Sequence, residues 1–224
     1  MRKSRKQQKN DRRRIVPITA KTINQKDYIR DIVENDVIFC TGPSGSGKSY
    51  IAAGIAANHI YRDEVDQIIV TRPLVCAGQD IGSLPGELDE KIKPYLLPME
   101  ENLKHFLGRD YYGKLFNDGR IRYEPLEVMR GATFHEAYMI LDEAQNCTLA
   151  QIKMFITRMG ENSKVLINGD IRQTDIKKFS GLLECVDKLE GIEGVGVSRL
   201  YYEDIQRNGI IGRVLEALEE DYYD

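Results

Sequence analysis

Three stretches of this sequence combine residue types and spacings that do chemistry. The first is Phe39 Cys40 Thr41 Gly42 Pro43 Ser44 Gly45 Ser46 Gly47 Lys48 Ser49, where Gly42 is followed, after four residues, by Gly47 Lys48 Ser49. That is the full spacing of a phosphate-binding loop. Glycines at 42, 45 and 47 let backbone N–H groups curl around an anion without Cβ clashes, and Pro43, Ser44 and Ser46 complete the binding stretch. Lys48 is then placed to reach β- and γ-phosphates, and the Ser49 hydroxyl to hold Mg²⁺. The expected ligand is a nucleoside triphosphate.

The second stretch is Ala137 Tyr138 Met139 Ile140 Leu141 Asp142 Glu143 Ala144 Gln145, an apolar run ending in two acids. Asp142 is expected to hold the metal through water, and Glu143 to polarise an attacking water as the general base. Small-molecule kinases built on such a loop need no water-activating Glu, so the tandem acid tilts the reading towards hydrolysis. The third is Gly169 Asp170 and then, after two residues, Gln173, whose amide is placed to sense a γ-phosphate from the next strand tip. Upstream of the loop stands Gln25. A glutamine there reads the adenine edge in many ATPases, because an amide offers donor and acceptor side by side; it is also what any polar helix exposes.

These groups need elements to hold them. Val37–Cys40 reads as a short buried strand and 51–57 as an Ala-rich helix, giving the strand, loop and helix that the motif requires. Before them, 21–34 reads as a polar helix, with Thr22 as N-cap and Ile23, Tyr28, Ile29 and Ile32 on one side. Residues 67–73 read as a second strand beside the first, closed by Pro73. Residues 74–107 form a long insertion rich in turn signals, with 87–92 and 99–107 as separate helical candidates divided by Pro94 and Pro98. It reads as a substrate-facing or partner-facing loop, or as a lid over the sheet. A short strand at 121–124, a strand at 137–141, a helix at 149–159 and a strand at 164–170 follow. The chain closes with a helix at 181–189, a strand at 195–200 and a terminal helix at 210–218. Strands alternating with helices specify an α/β fold, a parallel sheet covered on both faces.

At 224 residues the chain is long enough to bury roughly 70% of its unfolded surface without disulfides. Cys40, Cys76, Cys147 and Cys185 lie far apart, as do the three histidines, so reduced thiols in the cytoplasm are expected rather than a zinc site. No stretch has the apolar length to cross a bilayer, and no membrane role is expected. The net charge of −3 conceals an asymmetry: residues 1–14 hold eight Lys and Arg against Asp11 alone, an excess of +7 that leaves −10 for the remainder. Such an arm is expected to be disordered, serving either as a nucleic-acid contact through phosphate neutralisation or as a solubilising tail.

Beyond the loop, the sequence resembles a known family. The blocks are Arg72 Pro73, Gly82 Ser83 Leu84 Pro85 Gly86 Glu87 Leu88, Met129 Arg130 Gly131, Leu141 to Asn146, Thr157 Arg158, and Gly169 Asp170 with Gln173. They resemble the PhoH family of phosphate-loop ATPases over about residues 20–218. The resemblance implies a single RecA-like core similar to the first motor domain of superfamily 1 helicases, with ATP and Mg²⁺ as ligands. It also implies a link to phosphate starvation and, for some members, action on RNA. It strengthens Gln25 as an adenine contact and Gln173 as a γ-phosphate sensor, and it marks Arg158 and Arg207 as candidate arginine fingers. A lone core without a finger is slow, so a homo-oligomeric ring, most simply a hexamer, is expected to complete each site from the next subunit. RNA or another single-stranded nucleic acid is the expected partner. The competing reading is an ATP-binding switch that acts through a protein partner. Gln79, Ala132 and Asn208 depart from the family pattern, and none of them touches the loop or the paired acids.

Overall fold

A computed structural model describes residues 15–73, 88–173, 180–206, 210, 213 and 214, with 88–95 described by backbone. Six strands form one sheet: β1 (Val37–Thr41), β2 (Gln67–Thr71), β3 (Ile121–Tyr123), β4 (Ala137–Leu141), β5 (Lys164–Gly169) and β6 (Val195–Arg199). Their spatial order is β3-β2-β4-β5-β1-β6, and every pairing is parallel. The helices are α1 (Ile23–Glu34), α2 (Lys48–Tyr61), α3 (Leu88–Leu107), α4 (Arg109–Asn117), α5 (Leu149–Ile156) and α6 (Gly181–Leu189).

Side-chain alternation sorts the apolar strands into two cores. Ile38, Cys40, Ile68, Val70, Tyr138, Ile140 and Leu166 face α1 to α4, whereas Phe39, Ile69, Met139, Leu141, Val165 and Ile167 face α5 and α6. Strands buried on both faces read as continuous apolar runs, as β4 does. The strand order departs from expectation in one respect. β2 does not lie beside β1, because β5 and β4 come between them. β5 pairs Val37 with Val165 and Thr41 with Gly169, which brings the 169–173 turn directly against the phosphate loop.

Three local differences have physical causes. In α1, Thr22 accepts a hydrogen bond from the Gln25 N–H, and this cap fixes the helix phase so that Gln25, Tyr28 and Ile32 turn inward. Ile23 is left 74% exposed instead of sharing that face. The expected pair of helices around Pro94 and Pro98 is one helix, α3. Each proline forfeits a ladder hydrogen bond, and burial of Met99, Leu103, Phe106 and Leu107 against α2 offsets the loss. α4, unanticipated, follows Gly108 and buries Tyr112 and Leu115. The N-terminal arm, the 82–88 block up to Glu87, Gln79, Arg207 and most of the expected 210–218 helix lie outside the described residues. Among the described residues, no helix is long and apolar enough to cross a membrane.

Candidate functional site

The loop between β1 and α2 takes its shape from residues that permit unusual backbone angles. Gly42, Gly45 and Gly47 all have positive φ, at 155°, 84° and 100°. A Cβ on Gly42 would sit 2.6 Å from the Leu200 carbonyl oxygen, so the close approach of loop and β6 requires glycine. Within the loop, the Ser46 hydroxyl donates to the Pro43 carbonyl at 2.8 Å, and the Gln206 N–H donates to the Gly45 carbonyl at 3.2 Å. Ser46, expected among the ligand-binding residues, is wholly buried and does not line the cleft: its N–H also turns to the Pro43 carbonyl, at 3.3 Å, and its own carbonyl accepts Gln25, so it shapes the loop from within. Lys48 Nζ donates to the carbonyls of Gly42 at 2.5 Å and Pro43 at 2.9 Å, which fixes the ammonium at the loop.

Opposite the loop, β4 ends in the paired acids. The Ser49 hydroxyl donates to Asp142 Oδ1 at 2.8 Å, joining the two sides of the site. Burial pushes the Asp142 carboxyl above its ordinary range, and the neighbouring Glu143 pushes it further; the Ser49 hydrogen bond, Arg72 and Lys48 pull the other way. Glu143 adopts a left-handed backbone conformation, φ 57°, which is uncommon for a residue with a Cβ. Its carboxylate sits in a clasp. Arg72 lies 3.4 Å from one carboxylate oxygen, and Gln145 Nε2 donates to the other at 2.6 Å. The Gln145 carbonyl in turn accepts the Asp170 N–H at 3.0 Å, and the Gln173 N–H donates to the Asp170 carbonyl at 3.1 Å. A single buried amide therefore ties the tip of β4 to the tip of β5.

All of this borders one cleft of about 790 Å³ at the carboxyl ends of the strands, within the size range of small-molecule sites. Gln25, Ser44, Gly45, Gly47, Lys48, Ser49, Asp142, Glu143 and Gln173 line it together. Gly42 and Pro43 lie on the far side of the loop, against Leu200 and Tyr201. Arg158 is elsewhere: its guanidinium donates to the Met154 and Ala132 carbonyls and to Thr157, beside the bridge of Phe134 with Met159 at the start of β4. It cannot serve the cleft of its own chain. Gln25 reaches the cleft with its amide already engaged. Nε2 donates to the Ser46 carbonyl at 2.9 Å and the Asp204 carbonyl at 3.4 Å, and Oε1 accepts the Lys21 N–H at 2.8 Å.

Arg72, Gln145, Tyr50, Asn102 and His105 border or support the site without having been assigned a role from sequence. For Arg72 and Gln145 a signal existed, since each is a polar residue at or just beyond the tip of an apolar strand. For Asn102 and His105 there was none, because they lie far from the loop in sequence.

Strand, glycine-rich loop and helix, faced by an acid-tipped strand of the same parallel sheet, define a phosphate-loop NTPase core. The large terminase of a thermophilic bacteriophage, solved in complex with ADP, shares this fold at a TM-score of 0.53. That match covers 91% of this chain and 50% of the terminase, at 13% identity. The PhoH-like protein family model matches residues 17–219, and the chain belongs to that family. It is 42% identical over 205 residues to a PhoH-like protein of Bacillus subtilis, covering 91% of this chain and 64% of that protein. It is also 42% identical over 211 residues to Protein PhoH of Escherichia coli, covering 92% of this chain and 60% of that protein. The chain thus spans less than two thirds of the length of these relatives.

Proposed function

We propose that this chain hydrolyses ATP with Mg²⁺ and that its turnover is coupled to RNA or another single-stranded nucleic acid. The observation that carries the hydrolytic part is the division of labour between adjacent acids. Asp142 points inward to Ser49, and Glu143 is held beside the cleft by Arg72 and Gln145 with about a third of its side chain still open to water. Held in this way, the carboxylate keeps solvent-facing lone pairs with which to orient a water and take its proton, while Lys48 and the loop N–H groups hold the phosphates.

Mg²⁺ fits the donors present. Ser49 and Asp142 supply two hard oxygens, and Mg²⁺ in such sites takes its other oxygens from substrate phosphates and water. When bound it would neutralise charge on the phosphates; the raised Asp142 carboxyl is the group whose ionisation such a cation favours. The nucleic-acid part rests on the +7 charge excess of residues 1–14. Of the two arginines expected as fingers, Arg158 lies at the other end of the sheet from the cleft of its own chain, and Arg72, which lines the cleft, pairs with Glu143. Assembly into a ring, most simply a hexamer, would bring Arg158 or Arg207 of a neighbour to the γ-phosphate.

Steady-state ATP hydrolysis with and without single-stranded RNA, on the full chain and on a variant lacking residues 1–14, tests this. RNA-stimulated turnover that weakens without the arm supports the coupling. Turnover indifferent to RNA supports instead an ATP-dependent switch acting on a protein partner in a phosphate-starvation response. Light scattering with nucleotide present reads the assembly, and a monomer at every concentration refutes the ring.

A further inference from the structure

We infer that the end of the cleft remote from Glu143 is the nucleobase subsite, and that the base stacks there on the Tyr50–His105 pair instead of being read at its edge by Gln25. The inference rests on the nucleotide reading above and adds how the base is held. With phosphates in the loop and the γ-phosphate towards Glu143 and Gln173, the sugar and base must leave past the first turn of α2. The cleft walls there are Thr19, Lys21, Tyr50, Asn102 and His105.

Tyr50 directly follows Ser49, is 36% exposed and lines the cleft. One side is backed by Phe106, 1% exposed, at a ring separation of 4.7 Å. The His105 ring lies 5.8 Å away, with the Tyr50 hydroxyl 3.4 Å from His105 Nε2. Gly54, one turn along α2, makes this closeness possible, since a Cβ there would come within 2.7 Å of the Phe106 ring. On α3, Pro98, Asn102 and His105 recur at helical spacing and present one face to the cleft. The result is a firm aromatic wall where the base must lie. Gln25, by contrast, is 3% exposed, and both amide hydrogens brace the carbonyls of Ser46 and Asp204. A Gln that braces the loop has no donor left for an adenine N7.

Stacking is tolerant of base identity because every base has a π-face. The pair therefore gives affinity for purine nucleotides with weak preference between ATP and GTP. Calorimetric titration with Mg²⁺ plus ATP, GTP or inorganic tripolyphosphate separates the base from the phosphates. Tyr50→Ala should weaken ATP and GTP by about 5- to 100-fold and leave tripolyphosphate within about twofold, the range expected for one lost stacking platform. Tyr50→Phe should retain wild-type affinity. Gln25→Ala should weaken all three ligands together, because the loop loses its brace. Since Tyr50 also packs on Phe106, Tyr50→Leu is run in parallel to preserve apolar packing without a π-face, and it should behave as Tyr50→Ala does. The inference is overturned if Tyr50→Leu leaves ATP affinity intact, if it weakens tripolyphosphate as much as ATP, or if Gln25→Ala weakens ATP alone. A wild-type protein that binds neither ATP nor tripolyphosphate refutes the nucleotide reading itself and the subsite with it.

Discussion

Gln145→Ala probes the link between the paired acids and the neighbouring strand tip. Gln145 is 3% exposed; its carboxamide donates to Glu143 Oε2 and accepts from the Asp170 N–H. Truncation leaves the N–H of Asp170, itself 5% exposed, without that acceptor, and an orphaned buried donor costs about 1–3 kcal/mol. The lost bond to Glu143 counts for less, because water can reach that carboxylate, so the total is about 2–4 kcal/mol. For a domain of this size that lowers Tm by about 5–15 °C. Glu143 is then held by Arg72 at 3.4 Å without its second tether. Turnover should fall by about 10- to 100-fold, the scale on which ångström misplacement acts, while KM stays within about threefold because the loop is untouched. Steady-state ATP turnover well below the lowered Tm measures both parameters. The decisive control is the double variant: if Gln145 acts through Glu143, Gln145→Ala adds little in a Glu143→Gln background. A folded Gln145→Ala protein with wild-type kcat, or one whose effect multiplies undiminished with Glu143→Gln, refutes the reasoning.

Gly42→Ala forces a Cβ to 2.6 Å from the Leu200 carbonyl oxygen and 2.8 Å from Leu200 Cβ. It should displace the loop and weaken Mg-ATP by at least about tenfold, as read by nucleotide titration. Because the folded Asp142 carboxyl is raised above its unfolded value, the folded chain binds more protons than the unfolded one between the two pKa values. Apo stability should therefore fall as pH rises through that window. Asp142→Asn should flatten this slope and raise Tm at neutral pH while abolishing Mg-dependent turnover, as thermal melts across pH and an activity assay would show. Tyr28→Phe removes the buried hydroxyl that donates to Asn168 Oδ1 at 2.7 Å. It should cost about 1–2 kcal/mol in denaturant melts and leave nucleotide affinity unchanged.

The parts of this site that share a local segment were legible in the sequence. The loop from Gly42 to Ser49 lies between a strand and a helix, as its spacing implies, and Asp142 and Glu143 end an apolar strand within reach of Ser49. Strand order was not legible. Gln173 was expected at the site from its place near a strand tip, but β2 was expected beside β1; that β5 pairs with β1 instead and sets Gly169 opposite Thr41 is a crossover that no local pattern encodes. The same holds for His105, delivered by a helix that runs through Pro94 and Pro98 against their local preference. Gln25 shows how burial can redirect a polar residue. Its type and position suit an adenine contact, yet it turns inward in the capped helix, where the carbonyls of Ser46 and Asp204 claim its amide.

In the proposed mechanism Glu143 activates water on a bound ATP. Glu143→Gln, assayed for Mg-ATP binding and for single-turnover hydrolysis in the same preparation, tests it most directly. Binding should stay within about threefold of wild type while hydrolysis falls by at least about 100-fold, the contribution of a positioned general base. Hydrolysis that persists at the wild-type rate with Glu143→Gln would contradict it.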